Sequence, residues 1–351
     1  MQKRPVTDKM LQEFSKKRLW KESDAMHIGS LELQGSAVLA PLAGVADRAM
    51  RELCLSYGAA MVTTEMVSAK GFTMGDRKSR ELLKLSDLEH PGAIQLFGYD
   101  PTILAEAAKR VEAEFPCEAI DLNMGCPAPK ITGNNAGSSL LRDPDLAVSI
   151  AKAVVEAVSR PVTVKMRTGW DPDHLVCVDL AKRLEDAGVA ALTVHGRTKD
   201  QMYAPPVDRS SIKAVVDAVS IPVIANGDVR DGPSAKSMLE ETGAAAVMVG
   251  RGATGHPWVF EQINAYLKDG TVLPEPTIEE KMQILLDHSA KICEYKGDYI
   301  GMRESRKHAA WYIKGMRGAA KFRDSIGKLS TKEELIALTE AVIEAANAEQ
   351  Q

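Results

Sequence analysis

Residues 121–130 read DLNMGCPAPK, a single thiol in a Gly/Pro turn just past a strand-like run at 119–122. A structural thiol would more naturally lie inside an apolar run. As a nucleophile, Cys126 would want a neighbouring base or a lowered pKa, and the motif contains neither. As a general acid it needs only to keep its proton at neutral pH, which an ordinary thiol pKa of about 8.5 ensures. A flexible Gly-Cys-Pro loop can carry such an acid to one face of a bound substrate. Cys54, Cys117, Cys177 and Cys293 read instead as buried, inert thiols.

The elements that must position Cys126 follow from the apolar pattern. Runs at 38–40, 60–63, 93–97, 119–122, 161–166, 191–194, 221–225 and 245–249 read as strands buried on both faces. Helical patterns lie between most of them. The pattern at 143–158 has Asp143 to cap it and Pro144 in its first turn; 175–186 closes at Gly188, and 231–241 ends at Gly243. Eight such alternations over about 230 residues indicate an α/β chain folded as a (β/α)8 TIM barrel. A doubly wound sheet lacks the glycine fingerprint it would need after an early strand.

In such a barrel the chemistry sits at the carboxyl ends of the strands. The sequence puts Pro41, Leu42, Ala43 and Gly44 after the first strand, Glu65 after the second and Gln95 on the third. Asn123 and the Cys126 loop follow the fourth, Lys165 and Arg167 end the fifth, and His195 ends the sixth. Asn226, Gly227 and Asp228 end the seventh, and Gly250, Arg251 and Gly252 the eighth. Glycine turns in the last two units let backbone N–H groups approach a phosphate, and Arg251 adds a cation. Gln95, Lys165 and His195 suit a heterocycle with carbonyls and ring nitrogens, as in flavin mononucleotide. A phosphosugar fits as well, with Lys165 as a Schiff-base amine. Lys165 could also simply pair with Glu65 or Asp121, and His195 could be a hydrogen-bonded core residue.

The 351 residues are 45% hydrophobic and 26% charged, an ordinary globular balance with room for a second small domain. No apolar run approaches the roughly 18 residues of a membrane span, and the charged N-terminus is not a secretory signal. Five widely spaced cysteines without a C-x-x-C argue against a zinc site or disulfide framework and suit the cytoplasm. No membrane or metal partner is expected, and a monomer is favoured.

The net charge of −4 hides an asymmetry: residues 281–330 carry eleven Lys/Arg against five Asp/Glu. Between 302 and 323, Arg303, Arg306, Lys307, Lys314, Arg317, Lys321 and Arg323 face only Glu304. This segment reads either as a helical domain with a solvated basic face or as an RNA-facing domain. Trp311 and Tyr312 read as core residues. Three helical patterns, at 277–295, 302–316 and 331–346, place the domain boundary at 273–276. The stretch 66–91 reads as an active-site loop with its own helix.

The segments APLAGVAD (40–47), DLNMGCP (121–127), KMRTGW (165–170), VHGRT (194–198), ANGD (225–228) and GRG (250–252) together resemble the tRNA-dihydrouridine synthases of the bacterial B type. The resemblance covers about residues 26–344. It implies an FMN-binding barrel, residues 26–275, followed by a helical tRNA-binding domain, 276–351. Pro41, Leu42 and Ala43 would lie along the flavin ring, and Gln95, Lys165 and His195 would bond its polar edge. Asn226, Gly227, Asp228, Gly250 and Arg251 would surround the ribityl chain and phosphate. NADPH, with NADH as the alternative, would reduce the FMN. A uridine turned out of the tRNA D-loop would take hydride at C6 and a proton from Cys126 at C5, with Asn123 holding the uracil edge. Arg303, Arg306, Lys307 and Lys314 would face the tRNA.

Two features depart from the family. Residues 1–25 extend past its usual start with seven Lys/Arg against four acids, and read as a flexible tail or as a basic arm for RNA. Asn134 and Asn135 stand where many relatives carry glycine or a basic residue. Against the tRNA reading stand a flavin barrel reducing a free small molecule, a flavin-free phosphosugar enzyme and a non-enzymatic RNA-binding factor.

Overall fold

The computed structural model describes residues 26–316 and 318–348. The tail expected at 1–25 and the cation Arg317 lie outside them. The strands in chain order are β1 (Met26–Ile28), β2 (Leu31–Leu33), β3 (Ala37–Leu39), β4 (Val62–Thr63), β5 (Val67–Ser68), β6 (Gly92–Phe97), β7 (Ala119–Met124), β8 (Val162–Arg167), β9 (Ala191–His195), β10 (Val223–Asn226) and β11 (Ala246–Val249). Parallel pairing runs β3-β11-β10-β9-β8-β7-β6-β4. The ring closes where Leu39 N–H donates to Met61 C=O at 2.9 Å and Ala60 N–H to Ala37 C=O at 2.8 Å. All eight strands of the expected barrel are therefore present. The second is broken by residues 64–66, and β5 resumes its pairing along the upper half of β6.

The strands are buried on both faces, as expected, and the side-chain alternation gives the two faces different characters. Outward residues such as Ile120, Leu122, Val162, Val164, Leu192 and Val247 join the main core beneath the helices. Inward residues are small and apolar only in the lower half, where Ala93, Ala119, Ala191 and Ala246 pack with Ile28 and Leu33 of the β1–β2 hairpin. That hairpin plugs the barrel floor and had no signal in the sequence reading. In the upper half the inward residues turn polar, because a strand's side chains alternate with period two while the barrel interior opens towards its mouth.

The helices follow their local signals. Asp143 caps Pro144–Ala157 by accepting from Leu146 N–H at 3.0 Å. Asp231 and Ser234 form a capping box on Gly232–Thr242, which ends at Gly243 in the left-handed region. The stretch 66–91 holds β5 and two short helices, Ala69–Thr73 and Arg77–Leu82.

Past the barrel, helices Ile278–Lys296, Asp298–Ile313 and Lys332–Ala348 build a second core with Trp258. The middle one begins four residues earlier than the sequence indicates. Gly297, at φ +76°, reverses the chain in one residue, and Gly301 sits where a Cβ would come within 2.7 Å of Cys293 Cα. Glycine there lets two helices touch backbone to backbone, so Gly301 marks packing, not a helix break. Among the described residues no helix is long and apolar enough to cross a membrane.

Candidate active site

The polar upper layer is built by register. Gln95, Asp121 and Thr163 are cross-strand neighbours on β6, β7 and β8, and Asn123 pairs with Lys165 one level higher. Asn123 thus lies on β7 and not in the loop after it, which corrects its expected place. Thr163 Oγ1 donates to Asp121 Oδ1 at 2.5 Å and Gln95 Nε2 to Oδ2 at 2.5 Å. Asn123 Nδ2 donates to Gln95 Oε1 at 2.9 Å, leaving Asn123 Oδ1 to accept from Gly125 N–H at 3.2 Å and Cys126 N–H at 2.9 Å. A carboxylate only accepts, so Asp121 orients both amides in turn. Burial raises Asp121 to about 6, against the pull of Thr163, Gln95 and Lys165.

The Cys126 loop is held from three more sides. Arg167 Nε donates to Gly125 C=O at 2.8 Å, while its Nη1 reaches the carbonyls of Thr198 and Met202, each at 2.8 Å. Cys126 C=O accepts from Ser138 N–H at 3.1 Å and Ser138 Oγ at 2.9 Å. Gly137, at φ +61°, lies so close that a Cβ would stand 2.8 Å from that carbonyl. Asn135 also adopts positive φ, +54°, a conformation asparagine tolerates better than most residues with a side chain. The Asn-Asn departure therefore preserves this turn.

The thiol itself is half-buried, while the other four cysteines are buried. Burial raises the Cys126 pKa, only partly countered by Ala128 N–H, Arg167 and Lys165. No base depresses it, so the thiol keeps its proton and suits an acid more than a nucleophile.

Opposite this loop, Lys165 Nζ donates to Asn226 Oδ1 at 3.1 Å, and Asn226 Nδ2 donates to Met248 C=O at 2.8 Å. Lys165 forms no ion pair with Glu65 or Asp121. Burial and then Arg167 push it down to about 8. His195 lies 3.3 Å through Nε2 from Arg197 Nη1; arginine only donates, so the ring proton sits on Nδ1. Burial and four surrounding cations, Lys165 foremost, push His195 down to about 2, so it stays neutral. Arg197 and Arg251 (3.0 Å) share the Asp228 carboxylate. A Cβ on Gly227, at φ +134°, would come within 2.7 Å of Val207, whereas one on Gly250 would meet only ordinary contacts, to Ala40 and Leu42. Pro41 and Leu42 are half-buried, and Ala43 is exposed.

Residues 38–348 match the model of the family described as Dihydrouridine synthase (Dus). The chain belongs to the dihydrouridine synthase family. It is 47% identical to the tRNA-dihydrouridine synthase B of Vibrio vulnificus (strain CMCP6), over 85% of this chain and 92% of that one. The protein of that name from Vibrio cholerae serotype O1 is 44% identical over 88% and 96%. That from Pseudomonas aeruginosa is 44% identical over 87% and 91%. These relatives place it in the bacterial B-type branch.

Within this dihydrouridine synthase barrel, the mouth brings together Gln95, Asn123, Cys126, Lys165, His195, Asn226, Asp228 and Arg251. The basic residues on and just past helix Asp298–Ile313 are more divided. Arg303 is exposed, stacked 3.6 Å over the Tyr299 ring, and Lys314 is exposed. Arg306 Nε donates to Leu329 C=O at 2.7 Å, and Lys307 Nζ to Gly44 C=O. Tyr312 is buried as expected, and Trp311 is half-buried against His308. The sequence places Glu65 and Arg167 at strand ends without a role and offers Asp121 only as a possible partner for Lys165; it does not single out Thr163 or Arg197. Glu65 accepts from Gly44 N–H. Asp121 and Thr163 lie within β7 and β8, so their supporting role shows only in the cross-strand pairing.

Proposed function

We propose that this chain reduces the C5=C6 bond of a uridine in tRNA to 5,6-dihydrouridine, using FMN in the barrel mouth and NADPH as reductant, with NADH as the alternative. The carrying observation is Cys126, a protonated thiol on a loop fixed by Asn123, Arg167 and Ser138. Family membership supplies the reaction class.

The donor set supports the cofactor. Lys165 has N–H bonds to spare beyond Asn226, neutral His195 offers Nδ1–H, and Gln95 keeps one N–H and one lone pair. These match the carbonyls and ring nitrogens of a flavin edge, with Pro41, Leu42 and Ala43 beside the ring. Asn226 acts through Lys165, and Asp228 holds Arg251 for the phosphate end, next to Gly227 and Gly250. FMN held there would, once reduced, supply the hydride for uracil C6.

The chain's own residues do the rest. A uridine must leave the folded RNA to reach the mouth. Asn123 retains one Nδ2–H for the uracil edge. Cys126 transfers its proton to C5 and regains one from solvent, which balances the reduction. Arg303 and Lys314 offer exposed cations to the tRNA backbone, and residues 276–348 form the tRNA-binding part.

Purified protein should be yellow, bleach with NADPH and form dihydrouridine in unmodified tRNA. A yellow protein that reduces a free pyrimidine or enone but not tRNA would assign the site to small molecules. A colourless protein that takes up no FMN would overturn the reading.

A further inference from the structure

Of the basic residues on helix Asp298–Ile313, Lys307 points at the barrel instead of outwards. Its Nζ donates to Gly44 C=O, and the Gly44 N–H donates to Glu65 at the break between β4 and β5. Gly44, at φ +71°, is the tip of the turn that carries Pro41, Leu42 and Ala43. Both polar groups of this one exposed peptide position are therefore bonded, one from inside the barrel and one from the helical part.

The same turn is held again three residues on. Lys296 Nζ donates to Asp47 Oδ2 at 2.6 Å and to Glu304 Oε2 at 2.5 Å, and Glu304 lies 3.7 Å from Lys307. Two lysines and two carboxylates thus balance along the seam. His288 and His308 behind it add no charge: burial foremost lowers both, His288 to about 4. The Lys307 charge is matched by Glu304 and its proton is aimed at a carbonyl. It is not surplus charge awaiting a phosphate, in contrast to exposed Arg303 one turn earlier on the same face.

We propose that Lys307 is a positioning residue of the cofactor cradle, clamping the Pro41–Gly44 turn, and not an RNA contact. The proposal rests on the reading of that turn as the flavin's resting surface. It also deepens that reading, because the helix that offers Arg303 to RNA then bears directly on the cofactor.

The test compares Lys307→Met, Lys307→Arg and Leu335→Ala with the wild-type full chain. Leu335 is buried in the helical core, so its truncation weakens that part without touching Gly44. Lys307→Met is expected to lower FMN affinity three- to tenfold and shift the flavin absorption band, with tRNA affinity and its salt dependence at wild-type values. Lys307→Arg should restore most of the FMN affinity, and Leu335→Ala should leave it intact. Loss of tRNA affinity with a salt slope smaller by about one, at wild-type FMN affinity, would make Lys307 an RNA contact and overturn the proposal. Equal FMN loss in Leu335→Ala would also overturn it, by reducing Lys307 to general stability. Should the wild type bind no FMN, the functional reading fails separately. Hydrogen exchange at the Gly44 amide then decides the clamp: faster exchange in Lys307→Met supports it, and an unchanged rate overturns it.

Discussion

The barrel mouth and the outer face of the last helices both collect cations, and they hold them differently. In the mouth, Lys165, Arg167 and Arg197 each bond to groups on other strands or loops. On the helical face, Arg303, Lys314, Lys321 and Arg323 are exposed. Fixed, desolvated charges make directional contacts whose loss leaves buried partners unpaired. Exposed charges act as nearly independent increments, screened by salt. The first arrangement suits chemistry on one small ligand. The second suits a long polyanion whose exact pose varies.

Substitutions can break this contrast, the largest effect coming from the mouth. Arg167→Met strands the carbonyls of Gly125, Thr198 and Met202, and should cost about 3 kcal/mol in denaturant unfolding. A loss under about 0.5 kcal/mol would mean that the Cys126 loop holds itself. Lys165→Ala should weaken FMN binding about thirtyfold, read by flavin titration, since it removes a charged donor worth about 2 kcal/mol. Wild-type affinity would remove Lys165 from the cradle.

The seam between the regions should respond less. Burial tends to raise the Asp47 carboxyl, but Lys296 foremost, with His288 and the Met50 N–H, offsets it and leaves the group below its usual value. That stability is complete above the ordinary carboxylate value near pH 4 and is lost as pH falls through the lower folded value. Lys296→Met should therefore cost about 1–2 kcal/mol at neutral pH, with the difference from wild type shrinking below about pH 4. A penalty independent of pH would place it in lost packing instead. Smallest of all, Arg303→Ala and Lys314→Ala should each weaken tRNA binding a few-fold and lower the salt slope by about one. Coupled losses from the pair would contradict the picture of independent increments.

The same contrast explains what the sequence made legible. Eight strands showed as apolar runs because their outward faces pack under helices, and strand ends located Gln95, Lys165 and His195 without any knowledge of contacts. Capping residues such as Asp143 and Asp231 act within a turn of their helices, so local sequence was sufficient. The floor hairpin was missed because Met26–Leu33 is short and its burial depends on a barrel it does not itself predict. Asp121 was legible only as a possible partner for Lys165, because its role depends on Gln95 and Thr163 across two strand pairings. Lys307 and Arg303 share a helix and a residue class; only the Gly44 carbonyl, 263 positions away in sequence, separates them.

The central claim is that Cys126 delivers a proton to a uridine held over the reducing cofactor. The most direct measurement mixes NADPH-reduced wild type and Cys126→Ala with unmodified tRNA, without oxygen, and follows dihydrouridine yield over time. The account predicts that NADPH reduces the bound flavin equally in both proteins, and that dihydrouridine forms at least about a hundredfold more slowly in Cys126→Ala, the usual scale of a lost general acid. Equal rates in the two proteins would contradict it.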